Sequence, residues 1–150
     1  NIVGYVPQKA VMFSGSVLSN ITFGKNRHGK PSKERVKAAI RVSQAEEFVS
    51  KLDDKEKAHI AQGGTNVSGG QKQRLSIART IARDPEIYIF DDSFSALDYK
   101  TDSTLRSELK KYTKDATVMI VAQRIGTILN ADKIVVLDMV NVLVLVRIRN

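Results

Sequence analysis

Three features of this 150-residue sequence predict an α/β fold built on a parallel sheet and interrupted by a mostly helical segment. Short β-branched runs at 2–6, 87–90, 117–121 and 133–137 read as buried strands. Helical periodicity separates the later three, and strands alternating with helices argue for parallel pairing. Between residues 15 and 64 the pattern changes to polar loop and amphipathic helix, an insertion into the α/β body.

In chain order, the first run ends at Pro7-Gln8. Gly24-Lys25-Asn26-Arg27-His28-Gly29-Lys30-Pro31 is a polar loop, and residues 32–42 and 44–52 follow as two amphipathic helices. The helix that opens at Gly70 carries Leu75, Ala78, Ile81 and Ala82 on one face. It stops before Pro85, which cannot donate to a helical ladder. Leu105, Leu109 and Tyr112 recur at i, i+4, i+7 in a helix over 99–112, and a short helix holds Ile125, Ile128 and Leu129. From 139 to 148 the sequence is β-prone and has no Gly or Pro to make a turn. With no partner strand evident, residues 139–150 read as an aberrant Val-rich tail on a partial domain at 1–138. A truncated or frame-shifted gene end would produce such a tail, and an extra edge strand is the alternative. If it is aberrant, deleting it is expected to raise soluble yield or leave it unchanged.

Composition narrows the function. Lys and Arg number 24 against 16 Asp and Glu, a net charge of +8. Such a balance suits nucleic acid, anionic lipid or phosphorylated small molecules, but solvated basic helix faces explain it as well. The absence of cysteine excludes disulfides and thiol-ligated metals. His28 and His59 stand alone, unlike a histidine metal site. No apolar run approaches the roughly 20 residues of a spanning helix, so any membrane part is expected outside these residues. Asn1 begins at a strand-like run with neither an initiator Met nor a signal pattern.

Two segments carry chemistry. The apolar strand at 87–90 ends in Asp91-Asp92. Ligands of parallel α/β sheets bind at the carboxyl ends of strands, where two acids can hold Mg²⁺ and position a water. A strand leaving into a solvated turn accounts for them equally well. Asn66-Val67-Ser68-Gly69-Gly70-Gln71 opens a helix, and paired glycines let backbone N–H groups approach a phosphate. Taken alone, Ser-Gly-Gly is more often a flexible turn.

The order of motifs decides between these readings. Ser68-Gly69-Gly70-Gln71, a basic amphipathic helix, Asp84-Pro85, an apolar strand ending in acids, then Ser95-Ala96-Leu97-Asp98 together resemble the ABC ATPase family. The resemblance runs over about 2–138. It implies a P-loop NTPase-type parallel sheet, here incomplete, with a helical signature-motif subdomain at about 15–75. By similarity, 67–71 is the signature motif, 87–91 the Walker B strand and 95–98 the D-loop, whose Asp98 bridges two domains. Gln8 matches the Q-loop glutamine, which contacts Mg²⁺ and the attacking water and couples to the transmembrane domain. Asp91 would hold Mg²⁺ through water. Phe13-Ser14-Gly15-Ser16-Val17 with Asn20-Ile21, and the stretch 60–66, look like the exporter branch. There Gln62 stands where exporters usually carry a Glu that touches the membrane domain.

Departures from the family pattern fall on the hydrolytic site. Asp92 occupies the place of the catalytic Glu; it is one methylene shorter, and misplacement on that scale costs about 10²-fold in rate. Gln123 occupies the place of the switch histidine and can donate a hydrogen bond but cannot take up a proton. The signature itself is close to the usual form, with Val67 where Leu is commonest. In this family two domains face head to tail, and each composite site pairs one chain's Walker motifs with the other's signature. The resemblance therefore implies the degenerate-site subunit of a heterodimeric exporter of multidrug or lipid type. Ser68, Gly69, Gly70 and Gln71 would cap ATP bound by a second half-transporter subunit. ATP and Mg²⁺ are the expected cofactors, a transmembrane domain the further partner, and the cytoplasmic face of the membrane the location; nucleic acid is not expected. The motif Gly-x-x-x-x-Gly-Lys-[Ser/Thr] does not occur in the 150 residues and should precede Asn1. Two alternatives are a soluble ABC ATPase of DNA repair or translation, and an inactive gene fragment.

Overall fold

The computed structural model describes residues 2–24, 29–138 and 141–147, the last stretch and Asp138 by backbone alone; His28 lies outside these residues. The chain opens with β1 (Val3–Val6) and continues through a two-residue strand β2 (Gly15–Ser16) into helix α1 (Val17–Ile21). Helices α2 (Lys33–Val42) and α3 (Glu46–Ser50) follow, then strand β3 (His59–Ile60). The long helix α4 (Gly69–Arg83) leads to β4 (Ile87–Asp91), α5 (Tyr99–Tyr112), β5 (Thr117–Val121), α6 (Ile125–Ile128), β6 (Lys133–Asp138) and β7 (Asn141–Arg147).

The central sheet has the order β1-β4-β5, all parallel, with Val3 opposite Ile87 and Ile87 opposite Thr117. One face is core: Val6 and Phe90 are fully buried and Tyr88 nearly so, joined there by Leu75, Ile81 and Leu105 from α4 and α5. Alternation sends Val3, Tyr5, Met119 and Val121 to the opposite face, where they are exposed. β1 lies against the C-terminal end of α4 at a distance only glycine permits. A Cβ on Gly4 would come within 2.6 Å of Pro85 and 2.7 Å of Thr80. α4 stops where Asp84 turns into the left-handed region at φ 51°, immediately ahead of Pro85.

The segment between β1 and α4 is clipped at its base. Gly15 pairs with Ile60 and Ser16 with His59, while the Val17 N–H donates to the Ala58 carbonyl at 3.0 Å. Ser16 and Ser32 cap α1 and α2 with their hydroxyls. The helix expected over 44–52 is shorter than its periodicity suggests. Gln44 adopts φ 58°, which ends α2, and Ala45 offers α3 no side-chain cap. Among the described residues, no helix is long and apolar enough to cross a membrane.

The C-terminal end departs from the sequence reading in two ways. β6 does not join the central sheet, and Val135, Val136 and Leu137 are exposed. Its partner is the run that had none in the sequence: β7 pairs with it antiparallel, from Lys133 opposite Arg147 to Asp138 opposite Asn141. The register slips between Val136 and Leu137, opposite Val144 and Val142, so β7 carries an extra residue there. Only two residues of sequence separate the strands, so β7 is the nearest partner in the chain that β6 could take. Deleting 139–150 should therefore lower both the melting temperature and the soluble yield, because β6 would lose its only described ladder partner. A yield unchanged or raised in matched expression trials would show that the hairpin contributes nothing.

Candidate functional site

The carboxyl ends of the three parallel strands bring the sequence-predicted residues together. Gln8 follows β1, Asp91 closes β4 with Asp92 after it, and Gln123 follows β5. Gln8 Nε2 donates to Asp92 Oδ2 at 3.3 Å. The Tyr5 hydroxyl donates to Asp91 Oδ2 at 2.7 Å, a charge-assisted bond. Donation to that carboxylate raises the Tyr5 pKa above its ordinary value, since the protonated phenol is the bonded form.

The turn after β4 is anchored on both sides. Asp92 sits at φ 43°, a conformation a short polar side chain tolerates, and its N–H donates to the Val121 carbonyl of β5 at 2.9 Å. Buried Ser93 donates its hydroxyl to the Val6 carbonyl of β1 at 2.9 Å, and Ser95 Oγ donates back to the Asp92 carbonyl at 2.8 Å. Gln123 is exposed, and its neighbour Arg124 donates to the Ser95 carbonyl at 3.2 Å, linking the ends of β5 and β4. Asp91 and the Gln8 amide oxygen offer a hard, open oxygen set. Among the described residues no cluster of three or more acidic, His or Cys side chains forms a cage. Mg²⁺ suits such a place, because it retains waters and takes one or two carboxylates beside substrate phosphates.

Ser68 to Gln71 form a second constellation at the start of α4. Ser68 Oγ accepts from the Gln71 N–H at 3.2 Å, and Gln71 Oε1 accepts from the Ser68 N–H at 2.9 Å, a complete capping box. The N–H groups of Gly69 and Gly70 remain outside the helical ladder. A Cβ on Gly69 would meet nothing within 4 Å, so the space before the helix is open, whereas Gly70 packs beside the Ala96 carbonyl. Asp98 caps α5 through the Thr101 N–H at 3.0 Å, and that bond lowers its pKa. No hydrogen bond joins this constellation to Asp91 or Asp92 among the described residues. Gln62 lies exposed in a short turn whose Gly63 N–H donates to the Met12 carbonyl at 3.2 Å.

Sequence reasoning missed Tyr5, Ser93 and Arg79. Arg79 donates to the Asn20 and Val11 carbonyls at 2.7 and 3.1 Å and to Asn20 Oδ1 at 3.1 Å. Its guanidinium lies 5.3 and 5.9 Å from the rings of Phe13 and Phe23, which stack at 4.2 Å. Burial, then the Arg83 charge, lowers its pKa to about 10, so it remains cationic at neutral pH. An arginine on the α4 face that carries Leu75 and Ala82 was the available signal.

Known proteins resemble this chain along most of its length. The family model for ABC transporters matches residues 1–95. An uncharacterized ABC transporter ATP-binding protein of Mycobacterium bovis is 43% identical over 136 residues, 91% of this chain and 23% of its own length. A putative export ATP-binding/permease protein of Rickettsia conorii is 40% identical over 137 residues, again 91% and 23%. Multidrug resistance protein 1 of Entamoeba histolytica is 39% identical over 136 residues, 91% of this chain and 10% of that protein. A bacterial Atm1-family ABC exporter solved with ATP bound superposes with a TM-score of 0.84 at 34% identity, over 91% of this chain and 24% of that one. A parallel sheet whose middle strand ends in acids, preceded by a helix that opens on a glycine pair, is the ABC ATPase fold. The chain belongs to the ABC transporter family. It spans about a quarter of the length of the bacterial relatives it matches.

Replacing Arg79 by Met would strand the Asn20 and Val11 carbonyls while preserving chain length. Hydrogen bonds from charged groups contribute about 1.5–3 kcal/mol, so stability should fall by about that amount in urea titration. A midpoint unchanged from wild type would show that water replaces the guanidinium without cost.

Proposed function

We propose that these residues form the C-terminal part of the ATP-binding domain of an ABC exporter, with a weakened hydrolytic site of their own and an effective signature motif for a partner subunit. One observation carries the reading: β1, β4 and β5 end together and bring Gln8 and Asp92 into hydrogen-bond range beside Asp91, with Gln123 at the neighbouring strand end. The export names of the Rickettsia and Atm1-family relatives support the transport assignment.

Bound Mg²⁺ would neutralise charge on the β- and γ-phosphates. Asp91 would hold it through a water, with the Gln8 amide oxygen alongside. Asp92 would draw a proton from the attacking water. Its carboxylate is one methylene short of the family's glutamate and is engaged by Gln8 Nε2 at 3.3 Å, so it is poorly placed to reach the water. Gln123 would donate its amide to the γ-phosphate and could accept no proton there. The open N-terminus of α4, with Ser68, Gly69, Gly70 and Gln71, would cap the ATP held by the partner, and Asp98 would face that partner across the interface. The exposed Phe13–Phe23 pair beside the Gln62 turn is the natural seat for a transmembrane-domain contact on the cytoplasmic face. That contact is polar but uncharged at Gln62.

The family's main phosphate-binding loop and its lysine are not among these 150 residues. Residues 1–150 alone are therefore expected to hydrolyse no ATP and to bind it only weakly. Calorimetry that gave micromolar affinity for Mg-ATP would contradict this.

The assembled transporter tests the asymmetry. A positioned general base is worth about 10²–10⁴-fold. Where Asp92 has already forfeited most of that, Asp92→Asn should leave most steady-state ATP turnover intact, carried by the partner's site. Ser68→Arg places a bulky cation in the composite site that does the work and should abolish most turnover. Equal losses, or a larger loss for Asp92→Asn, would mean that this chain's own site is the active one.

A further inference from the structure

β1 and the residues just after it supply a hydrogen-bond donor to each of the two acids at the end of β4. Gln8 reaches Asp92, and Tyr5 reaches Asp91. The second contact is the shorter and follows directly from register. Tyr5 pairs with Ile89, and Asp91 lies two residues further along β4 on the same face. Diagonal neighbours of this kind are about 7–8 Å apart, a span an aromatic side chain crosses. Half of the Tyr5 surface is exposed. Its hydroxyl finds Asp91 Oδ2 at 2.7 Å, and no hydrogen bond reaches Oδ1 among the described residues.

We propose that Tyr5 is a positioning residue for the metal carboxylate: its hydroxyl fixes the Asp91 rotamer and thereby sets the affinity of the site for divalent cation. An aspartate at a strand end has two open torsions and a neighbouring acid of the same charge. Anchoring one oxygen to a stiff ring on the adjacent strand removes that freedom before the cation arrives. Outer-shell partners that orient a metal site are worth about 10–100-fold in metal affinity. Nothing in the motif pattern marks position 5, since the requirement is a hydroxyl at a definite height above the sheet. The inference rests on the reading of Asp91 as the Mg²⁺ carboxylate.

The test uses the full-length protein that carries these residues, assembled with a partner whose own metal aspartate is changed to Asn, so that one site remains. Mn²⁺ affinity in the presence of ATP is measured by electron paramagnetic resonance for wild type, Tyr5→Phe, Tyr5→Leu and Asp91→Asn. Metal-free ATP affinity is measured alongside. Tyr5→Phe should weaken Mn²⁺ binding at least about tenfold, leave metal-free ATP binding unchanged, and be matched by Tyr5→Leu. Mn²⁺ binding by Tyr5→Phe equal to wild type, while Asp91→Asn loses it, overturns the role of the hydroxyl alone. An equal fall in metal-free ATP affinity assigns Tyr5 to general packing and also overturns the proposal. Wild-type Mn²⁺ affinity in Asp91→Asn removes the metal reading of Asp91 itself and the inference with it.

Discussion

Everything at the site depends on β4 being held in register between β1 and β5. The pairing runs along the whole length of β1 and β4, and beneath it Tyr88 and Phe90 stack with ring centroids 6.2 Å apart in the core. Burial of those two aromatics fixes which face of β4 points inward, because a one-residue slip would turn both to the open side. The same registration aligns three strand termini, and with them the acids and amides that arrive on separate segments of sequence. Ser93 and the Asp92 N–H then tie the turn to its neighbours on each side.

A second set of contacts keeps the helical segment attached to this frame with polar groups. Arg79 satisfies the Val11 carbonyl after β1 and the Asn20 carbonyl in α1, and buried Asn20 closes the loop before α1 by accepting from the Phe13 N–H and donating to the Phe13 and Ser16 carbonyls. Arg74 donates to the Gln44 carbonyl and lies 4.9 Å over the Phe48 ring, joining α4 to the bend between α2 and α3. Its Nε is buried with no hydrogen-bond partner among the described residues, a cost that stacking on the ring partly offsets.

The parallel strands were legible because β-branched runs and helix-period faces alternate cleanly; α5 runs from Tyr99 to Tyr112, as its leucine spacing implies. Gln8, Asp91, Asp92 and Gln123 were legible only through motif order, since each is an ordinary loop or strand-end residue taken singly. Two kinds of information were hidden. Cross-strand height was one: Tyr5 lies within a hydrophobic run, and its partner emerges only when 5 is set opposite 89. Long-range choice was the other: the run at 133–137 pairs as well with a parallel sheet as with a following valine-rich segment. The structure resolves that choice in favour of the nearer partner.

The close seating of Gly4 has a mechanical consequence. With Thr80 and Pro85 against its α-carbon, the Thr80 hydroxyl reaching the Tyr5 carbonyl at 3.4 Å, and Gln73 Nε2 donating to the Pro7 carbonyl at 3.1 Å, β1 is bolted to α4 along most of their shared length. α4 runs antiparallel to β1, so its Ser68 cap and Gln8 stand at the same end of this joint. The joint therefore ties the placement of the one to that of the other. An alanine at position 4 would wedge it apart at the far end, loosening that tie without touching Ser68 or Gln8.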